Sequence, residues 1–227
     1  MVKVAGIDGF HKRWVAIVLD DGRYAGAQLF RSIAAASSAL RDAAVLAIDV
    51  PIGLPTGYGR AADFAAKQFI GPRQNSVFLT YPKAVFEAPT LKEGIEVART
   101  MTEHGISPYS YALREKILEA EAAALADPRI IEVHPEVCFR AMADGPLLHT
   151  KKSWTGVLLR RRLLQGKGIE IPEDLGRAGA AGVDDVLDAG AAAWTAHRKA
   201  SGEARVLPEG WEGPPTAGGQ LPGVIWY

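Results

Sequence analysis

Three groups of aspartates stand where their side chains could act together. Asp8 closes the apolar, β-branched run Val2 to Ile7, and Asp49 stands near the end of a second such run, Val45 to Val50. The third group is Asp184-Asp185-Val186-Leu187-Asp188, at the head of an alanine-rich stretch that continues to Lys199. On a helix, Asp185 and Asp188 are three positions apart and share one face. That face runs on through Ala189, Ala192, Ala193 and Ala196, residues small enough to let the helix axis lie close to a sheet. If the two strands pair in parallel, Asp8 and Asp49 leave the sheet at the same edge, and the helix aims its own aspartates there. Carboxylates forced together repel, and their desolvation is costly unless a cation lies between them. Mg²⁺ or Mn²⁺ suits such oxygen ligands. Two such ions roughly 3.5–4 Å apart can activate water and stabilise the leaving oxygen of a phosphodiester. Taken singly, these aspartates also admit structural explanations, with Asp188 the hardest to explain that way. Asp184 suits an N-cap, Asp185 suits the positive end of a helix dipole, and Asp8-Gly9 suits a plain turn. Asp188 faces inward among alanines.

The elements that must position these groups follow from the hydropathy pattern. Val2 to Ile7, Trp14 to Leu19 and Tyr24 to Phe30 read as strands, with Asp20-Asp21-Gly22 as a hairpin turn between the second and third. Ser32 caps a helix over Ile33 to Ala44, and Val45 to Val50 returns to strand, stopped by Pro51. Beyond it, Gly53, Pro55, Gly57, Gly59, Gly71, Pro72 and Pro82 punctuate a loop-rich stretch around one short helix near Arg60 to Phe69. Helices are expected over Glu93 to His104, Tyr109 to Ala126, Thr155 to Gln165 and Asp184 to Lys199, with a fifth strand over Ile130 to Val133. Val224 to Tyr227 is a candidate terminal strand after a Pro/Gly-rich tail, residues 201–227. The pattern predicts an α/β sheet with mixed strand directions. It forms one domain over 1–227, with a helical insertion at about 52–128 and a tail that packs on the domain.

Composition excludes several classes. The chain has 227 residues, 48% hydrophobic and 23% charged, with 26 basic and 26 acidic side chains, an ordinary globular balance. Cys138 is alone, so no disulfide scaffold or Cys-rich zinc module can form. Zero formal charge argues against a protein that coats nucleic acid non-specifically, though not against a local basic groove. No apolar run nears the roughly 18 residues of a membrane span. Lys3 comes too early for a signal peptide. The expectation is a cytoplasmic protein with no membrane partner.

Other groups bear on the same edge. His134-Pro135-Glu136 follows the fifth strand, where His134 or Glu136 would position water, move a proton or bind a metal. The structural alternative is a strand-end turn with a capped His. Arg60, Arg73, Lys151 and Lys152 are natural partners for phosphate oxygens, while Arg160-Arg161-Arg162 reads as an exposed helix side. Trp14 and Trp194 sit at core-like positions. Gly57-Tyr58-Gly59-Arg60-Ala61-Ala62 meets the loose dinucleotide fingerprint but follows no strand directly, so it carries no weight. His-x-Glu occurs in zinc deaminases, but the downstream Pro-Cys-x-x-Cys is absent.

The ordered set Val4-Ala-Gly-Ile-Asp8-Gly, Ile48-Asp49-Val-Pro51-Ile-Gly-Leu-Pro55, Gly71-Pro-Arg73-Gln-Asn-Ser76-Val-Phe78, Glu132-Val-His134-Pro135-Glu136-Val-Cys-Phe139, Lys151-Lys152 with Gly156, and Asp184-Asp185-Val-Leu-Asp188-Ala resembles the DUF429 family. Members are described as predicted nucleases of the RNase H-like fold. The resemblance runs nearly end to end and implies an RNase H-like mixed five-stranded sheet, order 3-2-1-4-5, flanked by helices. Asp8 matches the aspartate that such nucleases carry on the first strand, and Asp49 the acidic residue ending the fourth. Asp185-Val-Leu-Asp188-Ala is similar to the Asp-x-x-Asp of RuvC-type resolvases. The acidic residue that RNase H carries on its first helix has no counterpart, the nearest being Asp42 near the wrong end.

These readings combine into a Mg²⁺- or Mn²⁺-dependent nuclease or phosphodiester hydrolase. Asp8, Asp49 and Asp185 would hold metal, with Asp188 as fourth ligand or base, water as nucleophile, and Arg60, Arg73 or Lys151 on phosphate. The first alternative is a metal-dependent hydrolase or phosphotransfer enzyme for a small phosphorylated molecule. The second is a non-catalytic binding module. Kinase and actin relatives of the fold need two such domains, and this chain is too short.

Overall fold

The computed structural model describes residues 1–143, 145–212 and 221–227. β1 (Lys3–Phe10), β2 (Arg13–Asp20) and β3 (Arg23–Phe30) form an antiparallel meander. The second reversal falls at Asp21 and Gly22, with φ of 47° and 77°, the positive values a type I′ turn demands and Asp-Gly tolerates. Ser32 caps α1 (Ile33–Ala39) by accepting from the Ala35 N–H at 3.1 Å. β4 (Val45–Ile48) then lies parallel to β1 on its other side.

A crossover carries the chain to β5 (Ile130–Glu132), parallel to β4. It holds α2 (Ala61–Ile70), a 3-10 turn at Gly71–Ser76, α3 (Lys83–Glu87), α4 (Leu91–Thr102), α5 (Pro108–Ala112) and α6 (Arg114–Ala126). After β5 come α7 (Pro135–Ala143), α8 (Trp154–Gly166), a 3-10 turn at Gly176–Ala180 and α9 (Val183–Ala200). The ribbon β6 (Val206–Leu207) and β7 (Ile225–Trp226) follows. The main sheet has the order β3-β2-β1-β4-β5, as the resemblance implied.

Several elements differ from the sequence-based expectation. α1 stops at Ala39 rather than Ala44. The helix expected over Tyr109 to Ala126 is two, broken at Leu113, whose N–H turns back to the Ser110 carbonyl. α7 stands where a strand-end turn was the alternative. Pro135 opens it, and the missing proline N–H costs nothing at a first helical position. α3 and β6 carry no clear sequence signal. In the tail, Trp226 bridges to Val133 and Tyr227 is buried, while residues 213–220 lie outside the described residues.

The sheet divides the core into two. Ala5, Ile7, Leu46 and Ile48 face α1 and the later crossover helices α3 to α6, with Val85, Phe86, Tyr111 and Ile117. Val4, Val15, Ile17 and Ala47 face the other way, against α2, α7, α8 and α9. Gly6 lies on this second face, directly beneath α9. A Cβ there would meet Ala193 N at 2.0 Å and Ala189 O at 2.1 Å, both helix backbone. Ala189, Ala192, Ala193 and Ala196 are fully buried, so strand and helix meet with almost no side chain between them. Gly6→Ala must therefore push α9 off the sheet. The expected cost is about 3 kcal/mol, read in a thermal melt as a fall of about 6–12 °C. An unchanged melting temperature would mean α9 does not sit on Gly6.

Candidate metal site

Side chains alternate along a strand, so Asp8 follows Gly6 onto the face of β1 that meets α9. Asp49 follows Ala47 in the same way and leaves β4 just past its last ladder residue. The Asp49 N–H donates to the Ile7 carbonyl at 3.0 Å, which holds it beside Asp8 at the sheet edge. Asp188 arrives from α9, one turn before Ala192. The three residues each place a carboxylate oxygen within 4.8 Å of the others. Asp8 and Asp188 are buried and Asp49 is half-buried. Burial, then the Asp188 charge, pushes the Asp49 carboxyl up to about 8. Burial and the Asp49 charge raise Asp8 well above the carboxylate range. Burial raises Asp188 to about 6, with Lys151 working against the rise. A buried carboxylate cluster of this kind could hold a divalent metal ion.

Asp185 stands apart from these three. It is half-buried one turn nearer the helix start, where its Oδ2 accepts from the Gly182 N–H at 3.3 Å. The helix is thus capped by Asp185 folding back on Gly182, and Asp184 is not the N-cap. Asp185 still lines the same cleft, whose volume is about 540 Å³.

Lys151 enters the cluster from the loop before α8, and its ammonium donates to Asp188. Burial works against that charge, but Asp188 and Asp49 outweigh it and its pKa rises. The loop is firmly seated. Ser153 Oγ accepts from the Gly156 N–H at 3.1 Å and donates to the Thr150 carbonyl at 2.8 Å. A Cβ on Gly156 would lie 1.8 Å from that carbonyl oxygen. Arg160 completes the seat. Its guanidinium donates to the His149 and Gly156 carbonyls, both at 3.1 Å, and to both oxygens of Glu136 at 2.7 and 2.8 Å. The expected exposed basic face of α8 is therefore corrected at Arg160, which is 0% exposed because Glu136 neutralises it inside.

Glu136, on the first turn of α7, is occupied by Arg160 and lies 3.6 Å from Arg73. His134 lines the cleft, its Nε2 3.4 Å from the Ser76 carbonyl, and its own carbonyl accepts from the Val137 and Cys138 N–H groups. Burial lowers its pKa. Arg73 also lines the cleft, and Lys152 stands exposed at its side. Arg60 needs correction. Its side-chain N–H groups donate to Asp63, Glu132 and the Ile52 carbonyl. Those contacts use all five donors, and the residue is buried, so no donor remains for a phosphate.

One cleft residue escaped the sequence reading. Lys116 of α6 lies along Gly9, where a Cβ would sit 2.9 Å from the lysine stem. Its Nζ donates to the Arg13 carbonyl at 2.7 Å and stands 3.9 Å from the centre of the Trp14 ring. No sequence pattern links residues so far apart.

A family model described as "Protein of unknown function (DUF429)" matches residues 6–212, a span that includes every residue of the site. No curated protein and no solved structure matches the chain. Among the described residues, no helix is long and apolar enough to cross a membrane.

Proposed function

The chain belongs to the DUF429 family, and from the acidic centre on that fold we propose a divalent-metal-dependent phosphodiester hydrolase that cleaves nucleic acid. One observation carries the reading. Carboxylates from β1, the end of β4 and α9 converge within 4.8 Å at a buried sheet edge, with the Lys151 ammonium donating to one of them. Structural stability alone gives no reason to gather them there.

Asp8, Asp49 and Asp188 would hold Mg²⁺ or Mn²⁺, both of which accept carboxylate oxygens. A metal bound there polarises a phosphoryl oxygen and lowers the pKa of water. The chain's own residues do the rest. Arg73, Lys116 and Lys152 line the cleft and would offer positive charge to a phosphate. His134 is kept neutral by burial, the form that accepts a proton from an attacking water. Tyr109 lines the cleft yet is 76% exposed, leaving a ring face on which an unpaired base can stack. Asp185 stays with the helix start and reaches the cleft only from its rim.

A second reading, hydrolysis of a small phosphorylated molecule, is favoured by the cleft volume of about 540 Å³, well within the range for one small ligand. Both are tested together. The purified chain is incubated with Mn²⁺ and either labelled single- and double-stranded DNA and RNA or mononucleotides and sugar phosphates. Cleavage of an oligonucleotide supports the first reading, and turnover of the small phosphates alone supports the second. No turnover of any of them with metal bound overturns both.

A further inference from the structure

We propose that the acidic centre takes a single divalent ion, and that the Lys151 ammonium fills the place a second ion would need. This rests on the metal reading above and deepens it. Three ionised carboxylates and one ammonium leave a charge of −2, which one divalent cation neutralises. A second ion would leave these four groups with a charge of +2 in a partly buried site.

Three of the nearby acidic side chains are already engaged elsewhere. Glu136 gives both oxygens to Arg160, Glu132 gives both to Arg60, and Asp185 accepts from the Gly182 N–H. Lys151, by contrast, is built in. Its ammonium is donated directly to Asp188, and its loop is pinned by the Ser153–Thr150 contact, by the close fit of Gly156 and by Arg160 on the His149 carbonyl. The pinned loop keeps the Lys151 backbone beside the cluster, so its ammonium starts within reach of Asp188. Asp188 would then serve two cations at once, the metal on one side and Lys151 on the other. In a two-ion hydrolase the second cation stabilises the leaving oxygen, and here that task would pass to an ammonium carried by the chain itself. The substrate would supply phosphate oxygens to the one ion and to Lys151 together.

The test is a count. Metal-free full-length protein is titrated with Mn²⁺ by calorimetry, and the bound metal is examined by electron paramagnetic resonance. Wild type should bind one Mn²⁺ with the spectrum of an isolated ion. Lys151→Met, which keeps the stem and removes the charge, should bind two, with the broadened signal of neighbouring spins. Lys151→Gln serves as a second variant should the first misfold. Two coupled ions in wild type would overturn the inference while leaving the metal reading intact. One ion in wild type and also in both folded variants would overturn the role given to Lys151. No bound Mn²⁺ in wild type at millimolar concentration would overturn the metal reading itself, and the inference with it.

Discussion

Asp49→Asn should lower phosphodiester cleavage by at least about 1000-fold and abolish Mn²⁺ binding, yet leave the metal-free chain more stable than wild type. The two effects have one cause. Asparagine keeps the shape of aspartate, and the backbone bond from residue 49 to the Ile7 carbonyl is untouched, so the sheet edge stays in place. What disappears is a buried negative charge beside Asp188, the charge that burial and that neighbour resist by raising the Asp49 carboxyl to about 8. Relief of that resistance is worth about 1–3 kcal/mol at pH 8. It should be visible as a higher melting temperature without metal and as the loss of any further rise when Mn²⁺ is added. A variant that still binds Mn²⁺ as wild type does would remove Asp49 from the site. One that melts well below wild type would show that the carboxylate is structural.

The metal-free protein should also lose stability as pH rises from about 5 to 8, and Mn²⁺ should reverse the loss. The sign follows from where the protons sit. Asp49 and Asp188 titrate near 8 and 6 in the folded chain, and Asp8 is raised as well, against about 4 when unfolded. Through this window the folded state holds more protons than the unfolded one, so each step up in pH favours unfolding. Each group contributes at most about 1.4 kcal/mol per pH unit over its own interval. His134 acts in the opposite sense, because its pKa is lowered and its folded form resists the proton below about 6.5. Three carboxylates outweigh one imidazole. A fall of about 10–20 °C in the melting temperature between pH 5 and pH 8 is expected. Saturating Mn²⁺ should erase it by stabilising the ionised carboxylates. A flat profile without metal would mean the carboxylates are better solvated than their burial implies.

Much of this site could be read in the chain before any coordinates. Asp8 and Asp49 each follow a short β-branched run, and parallel pairing was enough to bring them to one edge. Asp188 stood out because a helical face of alanines has no use for a carboxylate. The choice between Asp185 and Asp188 was harder, because both share that face. Capping decides it, since an acidic residue at the third helical position is drawn back to the N-cap N–H. Arg160 was hidden by its neighbours Arg161 and Arg162, since a basic run reads as a solvated surface. Its spacing told otherwise, because the buried residues of α8 are Gly156, Arg160 and Leu164, each four apart along one stripe. Arg60 gave the opposite difficulty. An arginine among glycines looks free for phosphate, and only Asp63 and Glu132, brought together by the crossover and β5, reveal that it is spoken for. Lys116 left no trace at all, because its partner Arg13 lies 103 positions away in sequence.

The seat of α9 on Gly6 bears on how the molecule is made. Gly6 is synthesised well before the helix that covers it, which begins at Val183. Until α9 is made, Asp8 and Asp49 are present without the third carboxylate. Contacts so distant in sequence also form slowly, since a long loop must close before they gain anything. A nascent or truncated chain ending before α9 therefore lacks a complete cage for a divalent ion. The three-carboxylate site is assembled only once α9 is in place.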